Sequence, residues 1–181
     1  ELSISYTTRQ KRQKEIDKKD YYFISKKMFD FLKKRNFFIE YAKVFNNYYG
    51  TSLEKTKKIN NSGKDILFDI DWQGSRKIKK KLGDKVTSIF ILPPSKKELI
   101  RRLNKRAQDP KNVVKERLSS FTKELSHWKE YKYVLVNDTL EKAAKRIMNI
   151  INLERKFITN SEHLTDSKNA KLDQLIKRLK K

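Results

Sequence analysis

Two short apolar runs, DILFDID at 65–71 and VTSIFIL at 86–92, constrain the fold more than any other feature of the chain. Runs of this length and composition read as strands buried on both faces of a parallel sheet. Pro93 and Pro94 stop the second run, and Ser95-Lys-Lys-Glu98 follows as a capping box opening a helix through Arg106. Residues 111–131 read as another helix and YVLV (133–136) as another strand. Residues 140–157 read as a helix with Leu140, Ala144, Ile147 and Ile151 turned inward. Upstream, ELSIS reads as the end of a strand that starts in mid-course, which implies preceding sequence. KKMFDFLKKRN (26–36) reads as a helix capped by Ser25, and FFIEYAKVF (37–45) as a strand. NNYYGTS (46–52) supplies a turn, leading into a helix that stops at Gly63. Strands alternating with helices predict an α/β layered fold. Ligands in such sheets sit beyond the carboxyl ends of the strands, where Asp69, Asp71, Pro93, Asn137 and Asp138 would lie.

A chain of 181 residues fits one domain with small insertions, and 36% hydrophobic residues suffice for a modest core. No apolar run approaches the ~18 residues of a membrane span, so no membrane partner is expected. The absence of cysteine excludes disulfides and thiolate metal sites and suits a reducing cytoplasm, the expected location. The two histidines, His127 and His163, offer no metal site. A net charge of +23 invites a nucleic-acid reading, but 34 of the 45 basic residues are lysine, abundant alongside other residues with A/T-rich codons. No specific nucleic acid is therefore expected. Arginine is more informative, because its planar fork grips phosphate in a bidentate way. Six of the eleven, Arg9, Arg12, Arg101, Arg102, Arg106 and Arg117, fall in two short regions.

The first region, SISYTTRQKRQKEIDKKDYYF (3–23), gathers Ser5, Thr7, Thr8, Arg9, Arg12, Tyr21 and Tyr22. Hydroxyls and guanidinium groups from one segment suit a phosphate monoester, neutralising charge while directing hydrogen bonds to several oxygens. Glu40 stands in an otherwise apolar strand, followed by Tyr48-Tyr49-Gly50-Thr51. A buried carboxylate needs donors to offset its desolvation. Guanine supplies them as two parallel N–H bonds, from N1 and the N2 amino group, whereas adenine presents an acceptor at N1. A hydroxyl such as Thr51 could complete recognition at O6.

SISYTTRQKR, KDYYF, FIEYAKVFNNYYGTS, LFDIDWQG, FILPPS, the Arg102/Arg106/Arg117 set and VLVNDTL together resemble the guanylate kinase family, in order and spacing, from about residue 2 to residue 156. The resemblance implies a P-loop NTPase-type, three-layer parallel-sheet core with a nucleoside-monophosphate-binding insertion and a helical lid. It implies core segments 1–3, 67–97 and 128–156, a GMP-binding region 4–66 and a lid 98–127. By similarity, Ser5, Arg9, Arg12, Tyr21 and Tyr49 hold the GMP phosphate, and Glu40, Thr51 and Asp69, with Asp71 nearby, read guanine. Arg106 and Arg117, with Arg12, are the implied catalytic residues. Arg102, Arg106, Asn137 and Asp138 are the implied ATP contacts, and Mg²⁺ is expected to arrive with ATP. Residues 157–181 read as a flexible basic tail, whose Leu172, Leu175, Ile176 and Leu179 could form a short amphipathic helix and bind polyanions weakly.

Three features depart from the family pattern. Lys18 stands where glycine is usual, and Ala107 replaces the usual residue in the RAQD turn. No G-x-x-x-x-G-K-[ST] loop occurs, the only glycines being Gly50, Gly63, Gly74 and Gly83. That loop cradles the β- and γ-phosphates. In the family it precedes the segment with which this sequence starts, so half of the ATP site is expected to lie upstream. The competing reading is an inactive guanylate-kinase-like module that binds phosphorylated peptides.

Overall fold

The computed structural model describes residues 1–105, 118–119, 121–159 and 170–180. Arg106, Ala107, Arg117 and His163 lie outside the described residues. Two compact units emerge, Glu1–Val86 and Thr87–Lys181.

The first unit is built on a four-stranded sheet of order β2-β1-β4-β3. Its strands are β1 (Tyr6–Thr7), β2 (Tyr22–Phe23), β3 (Phe38–Val44) and β4 (Asn47–Ser52). β1 runs parallel to β2 and antiparallel to β4, and β3 and β4 form a hairpin. Helices α1 (Lys26–Lys34), α2 (Leu53–Asn61) and α3 (Trp72–Leu82) accompany it. Ser25 caps α1 as expected, accepting from the Met28 backbone N–H at 3.2 Å.

NNYYGTS, expected as a turn, is instead strand β4. The turn shrinks to Phe45 and Asn46, with φ of 49° and 64°. Positive φ at both central residues makes the two-residue connection whose twist matches a hairpin. Val44 therefore pairs with Asn47, and the register of the whole hairpin follows. A bulge then interrupts it: Phe38 faces Ser52, whereas Glu40 faces Thr51. The extra residue sends Phe38 and Glu40 to opposite faces although they are two apart. Phe38 joins an aromatic face with Phe29, Tyr6 and Phe37, while Glu40 turns to the other.

β3 is an edge strand, and α3 covers that edge. Gln73 Nε2, Lys77 Nζ and Lys81 Nζ donate to the carbonyls of Lys43, Tyr41 and Ile39. Four residues of helix rise about 6 Å and two of strand about 6.8 Å, so the two spacings nearly match. Backbone acceptors that would template another strand are thereby occupied.

DILFDID does not form the expected buried strand. Leu67 makes one isolated parallel bridge with Leu2, through Ser3 N–H to Leu67 C=O (2.9 Å) and Leu67 N–H to Glu1 C=O (2.8 Å). That bridge is the ladder contact of this run among the described residues. Leu67 is accordingly 54% exposed, and ELSIS contributes that bridge rather than a strand.

In the second unit, β5 (Ile89–Leu92) and β6 (Tyr133–Val136) pair in parallel. VTSIFIL is a strand only from Ile89 onward, where it pairs with β6 among the described residues, and Ile91 stays exposed. Helices α4 (Lys96–Lys105), α5 (Leu140–Thr159) and α6 (Ala170–Lys180) belong to this unit. The inward face of α5 is offset from the expected one. Ala143 is buried, Ala144 is exposed, and Leu140 is 82% exposed, because it sits one residue after Thr139, whose hydroxyl accepts from the Lys142 N–H at 3.3 Å. Glu154 ties α5 to the sheet by accepting from Thr87 Oγ1 (2.8 Å), Lys132 Nζ (2.8 Å) and Tyr133 Oη (2.6 Å). Burial and that last bond push the Tyr133 phenol up to about 12.

The end of the chain is not a frayed tail where it is described. Ile176 and Leu179 of α6 are buried with Leu92, Leu125 and Trp128, and Leu172 and Leu175 pack alongside. The amphipathic pattern thus serves the core. No helix among the described residues is long and apolar enough to cross a membrane. Leu179, 2% exposed, should reveal this role. Leu179→Ala is expected to cost about 2–5 kcal/mol in denaturant unfolding, as for other buried leucines. A substitution in a solvated tail would change nothing.

Candidate functional site

Strand alternation sorts the first sheet into an aromatic face and a polar one. Tyr6 stacks on Tyr22 (centroids 4.5 Å) on the former, and Gly50 stands opposite Tyr41 there. A Cβ on Gly50 would meet the Phe38 ring at 2.9 Å, so only glycine lets that ring close over the strand. The polar face carries buried Thr7, opposite Tyr49, and buried Glu40, opposite Thr51. Ser5, also buried, precedes Thr7 by two residues and Arg9 follows it by two. Tyr21 reaches the same face, its ring 6.1 Å from that of Tyr49.

Glu40 is 4% exposed and is the least expected charge in the sheet. Its Oε1 accepts from Thr51 Oγ1 at 2.7 Å, the only hydrogen-bond donor to this carboxylate among the described residues. Burial pushes the Glu40 carboxyl up from its ordinary value; the Thr51 bond opposes the shift, Asp71 adds to it, and Lys77 and Lys81 oppose it. Oε2 faces the start of α3, where a methyl on Gly74 would lie 2.9 Å away. Gly74 therefore lets the start of α3 pack closely against Oε2. Thr51, expected at guanine O6, spends its proton on Glu40 instead. Asp71 is the N-cap of α3, its Oδ1 accepting from the Gly74 N–H at 2.9 Å and its Oδ2 from Gln73 Nε2 at 3.0 Å. Asp69 is exposed; burial first, then the charge of Asp69, raises the Tyr21 phenol.

The two arginines of the opening loop converge on Glu15, which inspection of the sequence passed over. Arg9 Nη2 and Nη1 donate to Glu15 Oε1 and Oε2 at 2.7 and 3.0 Å. Arg12 contributes its backbone N–H (2.8 Å) and Nη1 (3.3 Å) to the same carboxylate. Burial alone would raise the Glu15 carboxyl, but bonds from Arg9 and the Arg12 backbone hold it below the usual range. The signal was present as an acid six residues after one arginine and three after the other. The turn that follows keeps a glycine-like shape without glycine: Lys18 has φ of 65°, and its N–H donates to the Tyr21 carbonyl at 2.7 Å.

In the second unit a cavity of about 460 Å³ opens at the carboxyl ends of β5 and β6. Leu92, Pro93, Leu99, Arg102, Leu103 and Asn137 are among its lining residues. Arg102 Nη2 donates to the carbonyls of Asn137 (2.9 Å) and Asp138 (3.4 Å), so three of the four implied ATP contacts come together. Ser95 Oγ caps α4 through the Glu98 N–H at 3.1 Å. The Glu98 side chain does not complete the capping box. It accepts from Arg101 and Arg102, whose hydrogen bonds lower its carboxyl to about 2. His127 pairs with Glu130 at 2.6 Å.

Comparison with known proteins points to one family. The family model described as guanylate kinase matches residues 1–154. The chain is 45% identical over 161 residues to a guanylate kinase of Blochmanniella pennsylvanica (strain BPEN), covering 89% of this chain and 76% of that protein. It is 44% identical over 177 residues to a guanylate kinase of Buchnera aphidicola subsp. Schizaphis graminum (strain Sg), covering 98% and 84% respectively. The crystal structure of guanylate kinase from Anaplasma phagocytophilum superposes with a TM-score of 0.74 at 38% identity, covering 84% of this chain and 74% of that one.

The left-handed Lys18 gives a direct test of the loop. A side chain there costs about 1–2 kcal/mol, while glycine loses about 0.4–1 kcal/mol through the unfolded chain. Lys18→Gly should therefore raise stability by up to about 1.6 kcal/mol, read as a higher denaturant midpoint.

Proposed function

The chain belongs to the guanylate kinase family, and from that premise we propose how its residues divide the work of moving the γ-phosphoryl group of Mg·ATP to GMP, giving GDP and ADP. The family fixes the enzyme class, phosphotransferase, and the α/β P-loop NTPase-type fold. The comparisons do not favour the inactive peptide-binding module. Residue roles, the metal and the setting belong to the proposal, as does the division into core (1–3, 67–97, 128–156), GMP-binding region (4–66) and lid (98–127).

The observation that carries the reading is Glu40, buried with the Thr51 hydroxyl as its one hydrogen-bond donor among the described residues. Guanine N1–H and the N2 amino group supply two parallel donors to that carboxylate, turning a desolvation cost into recognition. Thr51 orients the carboxylate, and Asp71 acts through α3 by holding Gly74 in place. Asp69 completes the rim. Ser5, Arg9, Arg12, Tyr21 and Tyr49 surround the GMP phosphate on the same face of the sheet. Arg102, Asn137 and Asp138 mark the cavity taken as the adenine site. Arg106 and Arg117 are assigned to the transferring phosphoryl group from the family pattern. Catalysis then rests on positioning and charge neutralisation, with no covalent enzyme intermediate.

No group of three acidic or histidine side chains among the described residues could hold a metal. Mg²⁺ enters this reading as part of the Mg·ATP substrate. A cytoplasmic setting accords with the nucleotide substrates.

Base choice tests the reading. AMP would leave the Glu40 carboxylate facing an acceptor, a loss of about 1–3 kcal/mol, or about tenfold to a hundredfold in affinity. Calorimetry on this chain should show GMP bound that much more tightly than AMP, and Glu40→Gln should shrink the difference. Equal affinity for the two nucleotides would remove Glu40 as the guanine reader.

A further inference from the structure

We propose that Ile176 and Leu179 of α6 are positioning residues for the nucleotide cavity of the second unit: they hold the ends of β5 and β6 from behind and so set the wall on which the adenine base rests. This rests on the reading of that cavity as the adenine site.

Helix α6 lies outside residues 1–154, the part that the family model matches, yet it fills the core of its unit. Ile176 and Leu179, 4% and 2% exposed, share one cluster with Leu92, Leu125 and Trp128, and Val136 packs against it. Leu92 and Val136 are the last residues of β5 and β6 and stand opposite each other in the ladder. The residue after each, Pro93 and Asn137, lines the cavity, as does Leu92 itself. The core that α6 completes therefore ends where the cavity begins.

Hydrogen bonds carry that position onward. The Asn137 N–H donates to the Leu92 carbonyl at 2.8 Å. On its other side the Asn137 carbonyl accepts from Arg102 Nη2 at 2.9 Å, and Arg102 Nε is itself held by Glu98 Oε1 at 2.7 Å. Both strand ends and α4 thus meet at Asn137. Interiors are close-packed, so atoms deleted from α6 leave a void into which neighbours relax only in part. The neighbour here is Leu92, whose side chain is fully buried against α6 and whose carbonyl fixes Asn137. A shift of about 1 Å in a binding wall can cost on the order of a hundredfold, so a fraction of that shift is enough to be measured.

The test uses adenosine, which has no phosphates and reports on the base site alone, in an NMR titration followed at the Asn137 amide. GMP, whose proposed contacts all belong to the first unit, is titrated in parallel. Leu179→Ala is expected to weaken adenosine about tenfold and to leave GMP unchanged. Leu179→Met, which keeps the volume, should recover most of the loss. Ile176→Val, which removes a single methyl, should give a smaller loss of the same kind and serves if Leu179→Ala does not fold. Equal weakening of adenosine and GMP would mean that α6 merely supports the fold, and overturns the proposal. Unchanged adenosine affinity in a Leu179→Ala chain whose unfolding midpoint has fallen also overturns it but leaves the adenine site standing. If adenosine does not move the Asn137 amide of wild type, or if Arg102→Ala binds it as wild type does, the cavity is not the adenine site, and the proposal falls with the reading beneath it.

Discussion

A carboxylate buried in a sheet, with one hydrogen-bond donor among the described residues, is the constraint on which the first unit turns. Removing Glu40 from water is unfavourable, and the Thr51 hydroxyl only partly offsets it. Everything that brings the two side chains together is therefore needed for the site. The tight turn at Phe45 and Asn46 sets the hairpin register. The bulge beyond it lets Phe38 serve the aromatic core while Glu40 faces the polar side. A register slip of one residue would exchange those roles and put a charge among rings.

Helix α3 joins this arrangement at both ends. Asp71 caps its N-terminus and brings Gly74 against Glu40, where a methyl group would crowd Oε2. Further along, Lys77 and Lys81 bind the carbonyls of edge strand β3 and favour the ionised form of Glu40. The same helix thus seals the sheet edge and tunes the charge that the sheet buries. On the proposed reading, fold and recognition share their parts here, which links a packing residue such as Gly74 to base choice.

Much of this was legible in the sequence. Alternating strand and helix signals, the Ser25 cap, the β3 strand and the polar residues of the loop all follow from local chemistry. The exceptions have physical causes. NNYYGTS looked like a turn because its asparagines and glycine are turn formers, but the turn needed only Phe45 and Asn46. DILFDID looked like a buried strand because composition reports burial, not whether a partner strand is at hand. The final helix looked like a solvated tail because termini often are, yet Ile176 and Leu179 fill a core built from distant segments. Glu15 was hidden by the basic residues around it. Charge counting registers an excess of lysine and arginine but not which acid two arginines share.

Titration of the Glu40 carboxyl by carbon-13 NMR, in the free chain and with GMP or AMP bound, tests the central claim most directly. The expected result is a free-protein pKa above the ordinary 4.5, because burial disfavours the charge. GMP should lower it, because guanine's two N–H donors favour the ionised form, and AMP should not. A titration that GMP leaves unmoved, or moves upward, would contradict a carboxylate that reads guanine.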